Sequence, residues 1–208
     1  MKIISVKSLA MPEIKVLEFA RFSDDRGFFA EPYRKSDFMH HPDLKELADI
    51  DFVQVNESFS KKGVCRGLHF QWNPFMGKLV RTVQGRMIDL VLDIRKNSPT
   101  LGKIIAYDMP ANTSASSNEW IWVPPGYAHG NFFTEDSRIE YLCSGEYNPN
   151  CEAGISPLSK DIDWSLCTAA LKELFDGIVP TSGILSEKDR HGSSLGEWLK
   201  DERSNNFI

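Results

Sequence analysis

The sequence predicts an all-β fold, a sandwich or barrel, closed by a small helical tail. Three observations carry that expectation. From about residue 14 to residue 147 the chain is a series of short β-branched or aromatic runs cut by Gly, Pro, Asn and Ser turns. Several of these runs alternate polar and apolar residues, the period of a half-buried strand. After Asp163-Trp164 the pattern turns helical.

In chain order the expected strands are IKVLEFA (14–20), FFAEPYR (28–34), FVQVNESFS (52–60), GVCRGLHFQ (63–71), KLVRTVQG (78–85), RMIDLVLDIR (86–95), GKIIAYDM (102–109), EWIWVPP (119–125), NFFTE (131–135) and RIEYLCSGEY (138–147). In RMIDLVLDIR, Met87, Asp89, Val91 and Asp93 share one face, and Ile88, Leu90, Leu92 and Ile94 share the other, which is the expected core face. Good helix formers in DLKELAD predict one short helix over 36–49. SLCTAALKELFDG (165–177) reads as a helix closed by Gly177, and GEWLKDE (196–202) as a second short one. With no repeat and no low-complexity linker, the chain is expected to be one unit, a barrel over 1–164 with a tail over 165–208 packed on it.

Length and composition set bounds. At 208 residues the chain can bury one substantial core without a staple or a metal. A net charge of −5 argues against a duplex nucleic-acid binder, which needs a broad basic face, but leaves room for a local anion site. Cys65, Cys143, Cys151 and Cys167 have no CxxC spacing and read as free thiols in a reducing compartment. The N-terminal stretch holds no unbroken apolar run suited to export or membrane spanning, so a cytoplasmic protein with no membrane association is expected.

Candidate chemistry centres on RGLHFQ (66–71). A lone histidine in a strand is ordinarily a satisfied core or surface residue. Here Gln54, Asn56, Arg66, Lys78, Asp89 and Arg95 also sit in or beside strands, and a barrel interior that collects such groups binds something polar. Arg66 and His69 are three apart, so a regular strand sends them to opposite faces, and a bulge at Gly67 would realign them. In WIWVPPGYAHG (120–130), turn chemistry accounts for the prolines and glycines, while His129 is open to a metal-ligand reading. That reading is weakened because Gln71 stands where an HxH pair would place a second histidine. Tyr141 and Tyr147 are six apart and share a face in a regular strand, which suits either a proton donor with a stacking ring or ordinary core packing.

The stretches FSDDRGFFAE, FVQVNESFSKKGVCRGLHFQ, GKLVRTVQGRMIDLVLDIRKNSPTLGK, WIWVPPGYAHG, EYLCSGEYNP and LSEKD together resemble the dTDP-4-dehydrorhamnose 3,5-epimerase family, in family order from about residue 16 to 190. RGLHFQ with KLVR, SPTLGK and PPGYAHG is a specific combination. The resemblance implies a cupin-type jelly-roll barrel and an isomerase that epimerises a nucleotide-diphosphate-linked 4-keto-6-deoxy sugar with no metal or redox cofactor. It implies His69 as the base, Asp189 as its carboxylate partner, Tyr141 as the opposing acid and Lys78 near the keto oxygen. Gln54, Asn56 and Arg66 are similar to sugar and diphosphate contacts, Tyr147 to a stacking aromatic, and His129 and Lys188 to further substrate contacts. Phe22, Arg26 and Glu31 match a segment that in the family reaches into the neighbouring subunit's site, implying a homodimer with exchanged N-terminal strands.

The chain departs from the family pattern in two places. GISPLSKDIDW carries Pro157 and a shorter spacing to Trp164, and AHGN puts Asn131 in a normally aromatic place. Epimerisation at C3 only or C5 only, on a related sugar, is therefore the alternative, followed by a metal-dependent cupin or a non-catalytic sugar-nucleotide binding module.

Overall fold

Alternating side chains and glycine turns fold the first three-quarters of the chain into antiparallel strands arranged as two facing sheets. The computed structural model describes residues 2–111 and 116–208; Met1 and 112–115, within the expected 1–164 barrel, lie outside the described residues. The elements are β1 (Ile3–Ser8), β2 (Lys15–Asp24), β3 (Gly27–Ala30), α1 (Lys35–His40), β4 (Gln54–Ser60), β5 (Cys65–Gln71), β6 (Lys78–Gln84), β7 (Arg86–Asp93), β8 (Ile104–Pro110), β9 (Ser117–Val123), β10 (Tyr127–Phe133), β11 (Ser137–Cys143), β12 (Glu152–Gly154), α2 (Ala169–Ser182), α3 (Glu187–Arg190) and α4 (Leu195–Lys200). One sheet has the order β1-β2-β9-β6-β11-β4, with β3 pairing β2, and the other β12-β5-β10-β7-β8.

Three apolar layers hold the sheets. Val80, Met87, Val91, Ile121, Phe133 and Ile139 fill the space between them. Leu17, Phe19, Trp120 and Trp122 cover the outside of the first sheet with Phe38, Leu44 and Leu47 from the α1 region. On the outside of the second sheet, Leu68, Phe70, Ile88, Leu90 and Leu92 meet Phe175, Val179, Trp198 and Phe207 of the tail.

This arrangement corrects the reading of β7. Met87, Asp89, Val91 and Asp93 are as buried as Ile88, Leu90, Leu92 and Ile94. The first set faces the other sheet; the second faces the tail. A sheet covered on both sides makes both alternating sets core, each fully buried Leu or Ile contributing about 1.5–3 kcal/mol.

Other expectations shift for local reasons. The helix expected over 36–49 breaks after His40, because Pro42 drives His41 to extended backbone (φ −78°, ψ 126°), and only a 3-10 turn at Lys45–Leu47 resumes. α2 runs through Gly177 and Pro180 and ends at Gly183, capped at its start by Thr168 accepting from the Leu171 N–H. FFAEPYR is strand only as far as Ala30, before Pro32. β10 starts earlier than NFFTE, at Tyr127, and β11 ends at Cys143, so Tyr147 lies in the following loop rather than on the strand. Arg95 turns away from the barrel cleft and pairs with buried Asp93 at 2.7 Å, beside Ser98 and Thr100. Among the described residues no helix is long and apolar enough to cross a membrane.

Candidate active site

The barrel opens into a cleft of two adjoining lobes, about 520 and 280 Å³, that share His69, Lys78 and Tyr141. Gln54, Asn56, Tyr147 and Glu152 line the outer lobe; Ser58, Arg66, His129, Asn131, Lys188 and Asp189 line the inner one. Among the described residues no three His, Cys, Asp or Glu side chains group as metal ligands.

A bulge in β5 makes this convergence possible. His69 stands opposite His129 and Arg66 opposite Asn131, so three residues of β5 span two of β10. Gly67, at φ +106°, absorbs the extra residue, and a Cβ there would sit 2.6 Å from the Gly130 Cα. Arg66 and His69 therefore both point inward while Leu68 and Phe70 pack outward on the tail.

The tail supplies the partner of the histidine. Bridges Val64↔Ile184 and Ile155↔Ser193 dock the chain on both sides of α3 against the barrel. Ser186 caps α3 by accepting from the Asp189 N–H at 3.1 Å. Asp189 Oδ1 then lies 2.6 Å from His69 Nε2. Burial pushes the Asp189 carboxyl up, but the hydrogen bond and charge of His69, with Ser186 and the Gly67 N–H, hold it below the usual carboxylate range. Gly154 leaves room for the imidazole, since a Cβ there would meet His69 Cδ2 at 3.1 Å.

Lys78 and Tyr141 come from the facing sheet, on the neighbouring strands β6 and β11. Desolvation lowers the Lys78 pKa against the opposing pull of Cys143, Asp89 and Glu152. Among the described residues no carboxylate lies within ion-pair distance of its ammonium. Burial raises the Tyr141 phenol, more than Asn56 and Arg66 lower it, so the group is a neutral donor at pH 7. Gln54 donates to Asn56 Oδ1 at 2.9 Å and accepts from the Tyr147 N–H at 2.9 Å, fixing that wall. Arg66 is steadied by donating to Ser60 Oγ at 2.9 Å.

At the rim, Tyr147 donates to Glu152 Oε1 at 2.8 Å, and Lys188 pairs with the same carboxylate. Burial raises Glu152, yet Lys188, Tyr147 and the His69 charge keep its carboxyl low. The sequence reading missed Glu152, which sits on a three-residue strand without apolar alternation to mark it. His129 Nε2 lies 2.7 Å from Asp89 Oδ1, both buried. Phe22, Arg26 and Glu31 are not at this cleft; they lie on or just after the β2–β3 hairpin, where Arg26 pairs with Asp24 and Glu31 with Arg34. Gln71 braces the loop over the cleft, donating to the carbonyls of Pro74 and Glu146.

A family model described as dTDP-4-dehydrorhamnose 3,5-epimerase matches residues 8–197. The chain belongs to the dTDP-4-dehydrorhamnose 3,5-epimerase family. It is an isomerase of the epimerase type with the cupin-like jelly-roll fold. A dTDP-4-dehydrorhamnose 3,5-epimerase of Shigella flexneri is 36% identical, over 92% of this chain and 96% of that protein. One of Neisseria gonorrhoeae is 37% identical over 94% of this chain, which spans 53% of that relative's length. The crystal structure of dTDP-6-deoxy-D-glucose-3,5-epimerase from Legionella pneumophila Philadelphia 1, in complex with dTDP-4-keto-L-rhamnose, has a TM-score of 0.78 at 29% identity, covering 96% of each chain. That of a 3'-monoepimerase from Streptomyces bikiniensis, in complex with dTDP-quinovose, has a TM-score of 0.75 at 26% identity, covering 93% of this chain and 89% of that one.

Proposed function

We propose that this epimerase inverts C3, C5 or both of a nucleotide-diphosphate-linked 4-keto-6-deoxyhexose, with His69 as base, Tyr141 as acid and Lys78 at the O4 oxyanion. The observation that carries the reading is the convergence of a His–Asp pair from one sheet and tail with a tyrosine and a lysine from the facing sheet. A base and an acid from opposite walls reach opposite faces of a ring held between them, as inversion demands.

The chemistry runs in two proton transfers. In neutral imidazole the Nε2–H donates to Asp189, which leaves the Nδ1 lone pair for the substrate's C–H proton. Asp189 stabilises the imidazolium that forms. The electron pair moves into the ketone, and the Lys78 ammonium neutralises the enolate oxygen. Tyr141 then gives its phenolic proton to the carbon from the other face. Arg66, Gln54, Asn56 and Lys188 hold the sugar and diphosphate, with Tyr147 stacking and His129 contacting the sugar. The barrel and tail work as one unit, since the tail delivers Asp189, and the four free thiols suit a reducing cytoplasm.

The nucleotide end of the site is completed by a second copy of the chain. The β2–β3 hairpin carries Phe22, Phe28 and Phe29 at 53%, 49% and 69% exposure, and the edge strand β4 leaves Val55 and Phe59 more than half exposed. Exchange of these N-terminal strands in a homodimer covers both and brings Phe22, Arg26 and Glu31 to the partner's cleft. C3-only inversion is a second reading, favoured by the likeness to a 3'-monoepimerase.

The deciding experiment incubates the protein in D2O with several nucleotide-linked 4-keto-6-deoxy sugars and follows deuterium at C3 and C5. Exchange with inversion is expected. Exchange unchanged in His69→Ala would remove His69 as base, and a fully active monomer on dilution would overturn the exchanged dimer.

A further inference from the structure

The inner lobe contains two polar atoms that nothing among the described residues satisfies. Asn131 is 5% exposed, lines the lobe, and its Oδ1 is buried without a hydrogen-bond partner. Ser58 Oγ, from the facing sheet and lining the same lobe, is also buried and unpartnered. Buried amides and hydroxyls left unpaired are costly, so such a pair facing one cavity calls for a ligand group.

The chemistry of that group follows from the walls. A primary amide and a hydroxyl each donate and accept, the match for a ligand hydroxyl. Arg66, Lys78 and Lys188 line the same lobe and repel an ammonium. Position narrows it further. Asn131 stands directly opposite Arg66 in the β5–β10 ladder, while His129 stands opposite His69. With Arg66 holding the diphosphate at C1, Asn131 stands at that end of the ring, where the nearest hydroxyl is the one on C2.

We propose that Asn131, with Ser58, reads the 2-hydroxyl of the sugar, so that this enzyme selects 4-keto-6-deoxy sugars bearing that hydroxyl over their 2-deoxy counterparts. The inference rests on the epimerase reading above. A site built to hydrogen-bond a hydroxyl discriminates strongly against the analogue lacking it, because its own buried groups are then left unpaired.

The test compares kcat/KM for deuterium exchange on dTDP-4-keto-6-deoxyglucose and on its 2-deoxy analogue, in the unaltered protein, Asn131→Leu and Asn131→Ala. The unaltered protein is expected to prefer the hydroxylated sugar by about 10–100-fold. Either variant is expected to shrink that preference to within about threefold while still exchanging the 2-deoxy sugar. Equal turnover of the two sugars by the unaltered protein overturns the proposal without any variant having to fold. Unchanged discrimination in a folded variant overturns it as well. No exchange with either sugar in the unaltered protein would instead remove the epimerase reading on which it rests.

Discussion

Two histidine–carboxylate pairs face the cleft, and they differ in where their carboxylates come from and how wet they are. His69 is a third exposed, and its partner Asp189 arrives from the tail. His129 is 7% exposed, and its partner Asp89 comes from the adjacent strand β7, with one carboxylate oxygen left unpartnered among the described residues. The first pair can meet a substrate proton with an accessible ring and has a carboxylate satisfied on several sides, by His69, Ser186 and Gly67. The second is locked in the sheet and suits contact with the substrate rather than proton transfer. A His–Asp distance near 2.6–2.7 Å is common to both, so distance alone does not assign the base.

Mutating the two histidines breaks or sharpens that contrast. His69→Ala is expected to lower solvent exchange by about a thousandfold or more, and His129→Ala by only about tenfold, chiefly in KM, as general-base and contact roles demand. Equal losses in kcat would erase the distinction. Tyr141→Phe should lower inversion by about 100-fold or more while His69-dependent exchange of the substrate proton continues, because the acid acts after the base. A parallel NMR assay of exchange and of product stereochemistry separates the two.

The other members of the set give smaller, pH-dependent effects. Because desolvation lowers Lys78 from its usual 10.5, activity should fall on the alkaline side at a pH below that value. Lys78→Arg should push this limb upward, since a guanidinium stays charged, at a cost of about tenfold in rate from altered geometry. A pH–rate profile of both proteins checks it. For Asp189 the folded carboxyl is depressed, so its contribution to stability is complete above the ordinary value of 3.8 and is lost as pH falls through the lower folded value. Asp189→Asn should remove that part of the acid limb in melting curves recorded below pH 3.8. Outside the cleft, Leu90→Ala on the tail-facing side of β7 should destabilise by about 2–5 kcal/mol in denaturant unfolding, as a core position does and a solvated face does not.

The strands were legible because alternation and turn residues are local properties. RMIDLVLDIR and KLVRTVQG announce themselves without tertiary help. The helix boundaries were less so, since Pro42 broke a good helix former run while Pro180 was accommodated inside α2. His69, Lys78 and Tyr141 stood out through motif context, as did Asp189, which a resemblance linked to a histidine 120 positions away. Glu152 did not, nor did the pairing of His129 with Asp89.

By itself the sequence determined an all-β chain with a helical tail, its family, and the residue types available for proton transfer, because periodicity and motifs are written in consecutive positions. What covers each face of β7, how the Gly67 bulge turns Arg66 and His69 to the same side, and which carboxylate meets which histidine were decided only by the tertiary structure. Those outcomes depend on what covers each face of a sheet and on contacts between segments far apart in the chain. Local pattern carries no record of either.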